Sequence, residues 1–450
     1  IRCSAYDKAR HYIILNLRLA RTMPNDATIV AFARQGQAFY RHFCGRYSLA
    51  RHAAEQALRA AIEADDFFIR MLVTDLSGHI RVEMGEIARG LQELELAHRL
   101  AKKLGHGSYA KAIFKALMSY RVQYGLISED NLSVLQELIQ ESKVQDNYTD
   151  SYMILELVRQ LTVRGRLSEA ESWLETVSRS IYASQHPRQR VLMNLRWAEI
   201  YYLRRERDRL QEKLDLARHD IDKSVDLALL VAWQGMFIKS NIDITPEFLL
   251  QHRRDTTRLG SGIALRILAR QFGLKHNLAM GDDPLGDLID AQRNGPPIDL
   301  FQKIIKSGYL GLVRPMLPQI LSTNFIYFHQ PSQTLILGRN GDILAADTGT
   351  SHKLIDLLKS FHKGCRSKED LVRDIWAYEY NPLKHDSLLY TLISRLRGLL
   401  GPCSEWLENR DDGYRIAGDV ELILGEPKVE APETVKTEFV ENTLNTRQWA

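Results

Sequence analysis

The chain has 450 residues, 45% of them apolar and 26% charged. That length exceeds a single hydrophobic core and predicts two to four domains of ordinary globular composition. The net charge of +4 at pH 7 is too small to indicate a protein that coats nucleic acid, because such affinity comes largely from neutralised phosphates. Four cysteines, Cys3, Cys44, Cys365 and Cys403, form no Cys-x-x-Cys pair and lie near no histidines at metal spacing. Neither a disulfide framework nor a zinc knuckle is therefore suggested, and reduced thiols in a cytoplasmic protein are expected.

Leu, Ala, Arg and Glu are abundant and only 13 prolines interrupt them, a mix that favours helix. Glycines recur at Gly45, Gly85, Gly125 and Gly165, forty residues apart, and their surroundings repeat with them. Two residues on stand Tyr47, Ile87, Ile127 and Leu167; nine residues on stand Ala54, Leu94, Val134 and Leu174. A fifth unit in the same phase has Arg205 in place of glycine but keeps Ile200, Leu210 and Leu214. A glycine between two helical stretches ends the first and allows a left-handed turn. The second helix then buries its apolar stripe against the first and against the next unit. His42 and His52 flank one such turn and are read as surface residues. Arginines cluster at Arg196, Arg204, Arg205, Arg207 and Arg209, interleaved with Glu206 and Asp208, which predicts a charged outer helix face.

These units resemble tetratricopeptide repeats, whose usual period is 34, in the longer form found in regulatory arms of large bacterial transcription activators. The resemblance covers about residues 25 to 220. It implies an α-solenoid that holds a protein, peptide or small effector on stacked hairpins. From 221 to 321 helices continue with less clear phase. Val225 to Ile238 is the nearest approach to an apolar span, but Asp226, Trp233 and Gln234 make it a buried helix; no membrane segment is expected. Asn241 to Pro246 reads as a break and Gly281 to Pro297 as a loop; Pro315 and Pro318 then interrupt a helix. A domain boundary is placed near Ser322.

Past Asn324 the text becomes β-rich. Phe325 to Phe328, Thr334 to Leu337 and Ile343 to Ala346 predict a small antiparallel sheet, with Asn340-Gly341 as a hairpin turn. Three helices follow: His352 to His362; one opened by the cap Ser367 and running through Leu371, Val372, Ile375 and Trp376; and Leu388 to Leu400, capped by Asp386 or Ser387. A hairpin from Trp406 to Ile416 closes the region. Three motifs in this order are similar to those of OmpR-like response-regulator effector domains. They are Ser367-Lys-Glu-Asp-Leu371 with Ile375-Trp376, Ile393-Ser-Arg-Leu-Arg397, and Gly413-Tyr414-Arg415.

The resemblance implies a winged helix-turn-helix over residues 322–423, whose third helix enters the major groove of promoter DNA while the wing follows the minor groove. By position, the DNA-contacting residues would be Tyr390, Thr391, Ser394, Arg395 and Arg397, with Arg410 in the wing. Leu389, Ile393 and Leu396 would be core. Residues 377–384, with Tyr378, Tyr380 and Pro382, correspond to the segment that touches RNA polymerase in relatives, and a homodimer is the expected binding form. Several features depart from the family. Gly398-Leu-Leu400 stands where lysines are usual, Asp411 and Asp412 lie in the wing, and residues 322–423 hold 12 Lys and Arg against 14 Asp and Glu. Arg395 and Arg397 could also form a solvated face paired with Asp386 or Glu379.

Residues 424–450 have scattered acids, Thr and Pro, and are expected to be disordered. No phosphate loop, His-Glu-x-x-His helix, Gly-x-Ser-x-Gly elbow or phosphoacceptor domain is present, so no enzyme and no cofactor is expected. The reading is a transcription regulator in which a helical-repeat sensor controls a DNA-binding winged helix. The alternative is a non-enzymatic scaffold whose winged helix has lost DNA and serves as a protein-interaction module.

Overall fold

A computed structural model describes residues 6–126, 131–140, 147–184, 186–223, 225–240, 244–271, 283–294, 297–317, 322–347, 352–410 and 413–425. These fall into two compact units, one within Ile1–Gln160 and Ala170–Asp290, the other within Leu161–Glu169 and Ala291–Glu433. Of the tail expected to be disordered from 424, Leu424 and Gly425 instead end a strand that pairs with Phe328 and His329, and the rest, with the wing acids Asp411 and Asp412, Cys3, Asn241 and Pro318, lies outside the described residues.

The first unit is an array of helices. After α1 (Tyr6–Thr22) come paired helices: α2 (Ala27–Phe43) with α3 (Tyr47–Glu63), α4 (Phe67–Glu83) with α5 (Ile87–Lys103), and α6 (Gly107–Gln123) with α7 (Asn131–Gln140). Then follow α8 (Asn147–Val163) with α9 (Leu167–Ser184), and α10 (Pro187–Arg204) with α11 (Arg207–Ile221). The first helix of each pair starts forty residues after the last. Asp26 and Asp66 cap α2 and α4 by accepting the amide hydrogens of Ile29 and Ile69 at 3.0 and 2.9 Å. Gly45, Gly85, Gly125 and Gly165 all have positive φ, and Arg205 takes the same left-handed turn at φ 61°. The core of the first pair is made of small residues: Ala50, Ala53, Ala54, Ala57 and Ala61 of α3 are all buried. Without long side chains between them, the helices approach closely.

The less regular stretch contains α12 (Leu227–Ser240), α13 (Pro246–Leu259), α14 (Gly262–Gln271), α15 (Pro284–Asn294) and α16 (Pro297–Lys306). The expected loop from Gly281 to Pro297 is thus mostly helix: Pro284 opens α15, where its missing amide hydrogen costs nothing. Three of these helices start on the array's turns. The amide of Leu227 donates to the Cys44 carbonyl at 3.3 Å, and the Ser261 hydroxyl donates to the Glu83 carbonyl at 2.8 Å. The amide of Leu285 donates to the Tyr124 carbonyl at 3.5 Å. The unfilled carbonyls at the ends of α2 and α6 meet unfilled amide donors at the starts of α12 and α15, and the one at the end of α4 meets the Ser261 hydroxyl before α14. A helix C-terminus with its partial negative charge thus meets a helix N-terminus with its partial positive charge, which is favourable.

Gly45 is needed twice over. Its φ is +65°, and a Cβ there would stand 2.7 Å from the Ala228 amide nitrogen and 3.0 Å from Leu259. Tyr47, Leu227, Val231 and Leu259 bury one another at this junction.

The second unit is a small α+β region. Strands β1 (Phe325–His329), β2 (Thr334–Arg339) and β3 (Asp342–Asp347) form the expected antiparallel meander. Asn340 and Gly341, both at positive φ, make its tight turn. Then come α17 (His352–Phe361), β4 (Arg366–Ser367), α18 (Lys368–Trp376), α19 (Pro382–Leu400), β5 (Leu407–Arg410), β6 (Gly413–Ile416) and β7 (Glu421–Gly425). β7 pairs parallel with β1, so the sheet, in the order β3-β2-β1-β7, is mixed rather than antiparallel. A second sheet has the order β4-β6-β5. Between them Leu354, Leu357, Leu358, Leu371, Leu389, Ile393, Leu396 and Trp406 share one core. The α8–α9 turn belongs to this unit: the Ile343 amide donates to the Gly165 carbonyl at 2.9 Å, and the Ser168 amide donates to Asp342 at 2.8 Å.

Candidate functional site

α19 decides where the candidate residues lie. It begins at Pro382, six residues before the expected start, because Asn381 caps it by accepting the Leu383 amide hydrogen at 3.0 Å. Asp386 and Ser387 therefore sit inside the helix, and Pro382, Leu383 and Lys384, read as loop, form its first turn. Leu389, Ile393 and Leu396 are buried, as expected, and Leu392 and Leu400 join them. The opposite face shows Tyr390, Thr391, Ser394 and Arg395 to solvent. Thr391 turns its hydroxyl back to the Ser387 carbonyl at 2.7 Å. Arg395 forms no hydrogen bond or ion pair among the described residues, so its guanidinium keeps five donors for a partner.

Arg397 and Arg410 are placed otherwise. Arg397 is only half exposed and donates to the Asn409 side chain at 2.7 Å and to the Leu407 carbonyl at 3.2 Å. It ties α19 to β5, and does not pair with Asp386 or Glu379. Arg410 is exposed at the end of β5 but is held by Glu408 at 2.9 Å, and Arg415 grips the same carboxylate at 2.7 Å. Hydrogen bonds from Arg415 and then Arg410 hold the Glu408 carboxyl below its usual range.

A polar cluster that the sequence did not reveal joins α18 to α19. Lys368 donates to the Tyr390 hydroxyl at 2.7 Å and to Asp386 at 3.2 Å, and its ammonium lies 4.9 Å from the Tyr390 ring centroid. Tyr380 donates to Asp386 at 2.6 Å. That bond pushes the Tyr380 phenol up to about 12, and it is the main reason the Asp386 carboxyl is held low. The Lys368 ammonium is held above its ordinary range by the bonds to Tyr390 and Asp386. Tyr390 therefore offers a contact with its ring rather than with a free hydroxyl. Beside it Leu383 and Leu388 of α19 and Tyr378 before it are exposed, Leu383 by 97%.

The array has a polar interior of its own. His79 shares a 2.9 Å hydrogen bond with the Tyr120 hydroxyl and lies 3.6 Å from Asp75. Arg159 grips Glu156 and donates to the Gln123 carbonyl at 2.7 Å, while Lys115 meets Asp150 at 2.7 Å. His42, expected on the surface, packs against Phe43, Tyr47 and His79, and its Nδ1 is buried without a partner among the described residues. Burial, followed by the charges of His79 and Arg188, pushes its pKa down to about 3. His52 is exposed, as read. The arginine cluster is largely neutralised: Arg196 pairs with Glu199, Arg204 with Glu171 and Arg209 with Glu206.

Among the described residues no three His, Cys, Asp or Glu side chains are placed to hold a metal. None of the described helices is long and apolar enough to cross a membrane. No protein-family model matches the chain, and no curated protein matches it.

Proposed function

We propose that this chain is a non-catalytic transcription regulator: a helical-repeat array coupled to a winged-helix module that binds promoter DNA through α19 and the β5–β6 hairpin. One observation carries the reading. α19 buries Leu389, Ile393 and Leu396 and presents Tyr390, Thr391, Ser394 and Arg395 along an open helical face, beside a two-stranded ribbon. A helix exposed in this way suits the width of a major groove. Arg395 would be the base or phosphate contact, Thr391 and Ser394 the short polar contacts, and Arg397 the brace that sets the ribbon's angle. The array would receive a protein or peptide partner, residues 377–384 would meet polymerase, and two copies would occupy adjacent half-sites.

Few cations are available, so the electrostatic contribution should be small. The logarithm of affinity should fall with the logarithm of salt concentration at a slope of roughly −2 to −3 per chain, as expected for two or three phosphate contacts. Anisotropy of labelled duplexes drawn from a selected pool tests this. Arg395→Ala should lose about ten-fold or more in affinity, whereas a salt-independent signal unchanged by that substitution would refute the proposal.

A scaffold role is the second reading, favoured by Leu383, Leu388 and Tyr378, whose exposed side chains would suit a protein contact. Under it, Leu383→Ser abolishes a stable protein complex and Arg395→Ala leaves that complex intact.

A further inference from the structure

The forty-residue frame offers an internal standard for the charges at each turn of the array. Near the end of the first helix of each pair the frame has Arg41, Arg81, Arg121, Leu161 and Tyr201. Just before the second helix it has Arg46, Glu86, Leu126, Arg166 and Glu206. Wherever an arginine stands at either position in a later pair, a carboxylate meets it. Arg81 pairs with Glu86 and Glu93, Arg121 with Glu95, and Arg166 with Glu169. In the first pair the places of those four acids are held by Arg46, Ala53, Leu15 and Leu49.

Arg41 and Arg46 accordingly make no ion pair among the described residues. Arg41 donates to the Leu49 carbonyl at 3.0 Å. Burial, then the charges of Arg34 and Arg46, hold its guanidinium below the ordinary range. A third arginine comes from α13: Arg258, also without an ion pair among the described residues, lines a pocket of about 140 Å³ with Arg46, Ser48 and Leu49. Leu49 is 47% exposed there.

Helix chemistry accounts for two of the three cations. Arg41 and Arg258 lie in the last turns of α2 and α13, where a positive charge suits the helix's negative end. Arg46 has no such reason. It opens α3, whose positive end disfavours it, and its side chain caps nothing. Three guanidinium groups thus surround one exposed leucine with no acid to offset them. Their planar forks match carboxylates. They cluster around one point, whereas a nucleic-acid strand calls for cations along a line of phosphates.

We infer that this pocket receives an acidic segment of a partner protein, in which an aliphatic side chain seats on Leu49 and flanking Asp or Glu side chains meet Arg41, Arg46 and Arg258. The inference rests on the reading of the array as a receiver of protein partners, and not on DNA binding by α19.

The test uses the full chain and a fluorescein-labelled peptide with Glu-Asp-Leu-Glu-Glu at its centre; the same peptide with Gln and Asn replacing the acids is the control. The acidic peptide should bind about ten-fold or more tightly than the control and weaken with salt. Arg46→Glu and Arg258→Gln should each lose about ten-fold in affinity. Arg46→Glu copies Glu86 and Glu206 and gives Arg41 the partner that Arg81 has, so its urea midpoint should hold or rise. Arg395→Ala should leave the peptide's affinity unchanged, which separates this inference from the reading of α19. Equal binding of both peptides, binding of neither, or affinity untouched by both pocket substitutions overturns the inference. So does a lowered urea midpoint in Arg46→Glu with Arg258→Gln binding normally, or a mixed-sequence oligonucleotide that displaces the peptide and binds more tightly, with its own affinity lost in Arg46→Glu.

Discussion

At the scale of single residues, Gly45 and His42 show two constraints of opposite visibility. Glycine in a left-handed turn is readable from its spacing, but the second demand on Gly45, the nearby Ala228 amide, belongs to a segment far along the chain. Gly105 separates the two effects: its φ is +74° and a Cβ there would meet nothing within 4 Å. Gly105→Ala should cost only the left-handed penalty, about 1 kcal/mol, whereas Gly45→Ala should cost roughly 2–4 kcal/mol because α12 must also shift. Urea denaturation of both variants gives the comparison; equal losses would mean that α12 does not rest on the turn. His42 concerns protons. Its folded pKa of about 3 lies below the unfolded value, so the unfolded chain binds more protons between the two. Stability is therefore complete above about pH 6.5 and declines as pH falls towards 3, by up to a few kcal/mol. His42→Phe should flatten the slope of urea midpoint against pH between 7 and 5; an unchanged slope would assign the acid sensitivity elsewhere. Nothing in the local text distinguished this histidine from exposed His52, since Tyr47 of α3 and His79 of α4 pack on it together with its neighbour Phe43.

At the scale of elements, the repeat was legible because one spacing recurs through helix starts, caps and turns. Helix α12 was legible as the apolar run Val225 to Ile238, whereas α15 was read as loop, because it is placed by a turn of the array and not by its own periodicity. The start of α19 was misplaced for a local reason: Asp386 and Ser387 are good caps, but Asn381 followed by Pro382 is a better one, with the proline at the position that needs no amide hydrogen. Asn381→Ala should destabilise the second unit by about 1 kcal/mol, read as faster amide exchange at Leu383 and Lys384; no change would remove the cap from the account. Strand β7 escaped notice because a single short strand leaves no pattern until it pairs with β1, and Arg397 was read as outward because spacing gives a direction but not a partner. Arg397→Ala should loosen the ribbon, with amide exchange rising across residues 407–410 and 413–416 while α17 keeps its protection. A uniform rise in both would mark the arginine as a core-stabilising residue instead of a brace.

For the whole molecule, the structure contains an array of hairpin-paired helices and a small α+β region, as the sequence suggested, and both carry polar groups already committed to one another. Lys368, Arg397 and Arg410 all have internal partners. The acidic balance of residues 322–423 thus leaves Arg395 and Lys384 as the open cations of α19. The proposed DNA binding therefore rests on very few charges and on shape. The measurement that tests this most directly is anisotropy of a selected labelled duplex with the full chain, run across a salt series for wild type and Arg395→Ala. The account predicts saturable binding that weakens with salt at a slope of roughly −2 to −3, with about a ten-fold loss in the variant. Absence of saturable binding, or affinity untouched by salt and by Arg395→Ala, would contradict it.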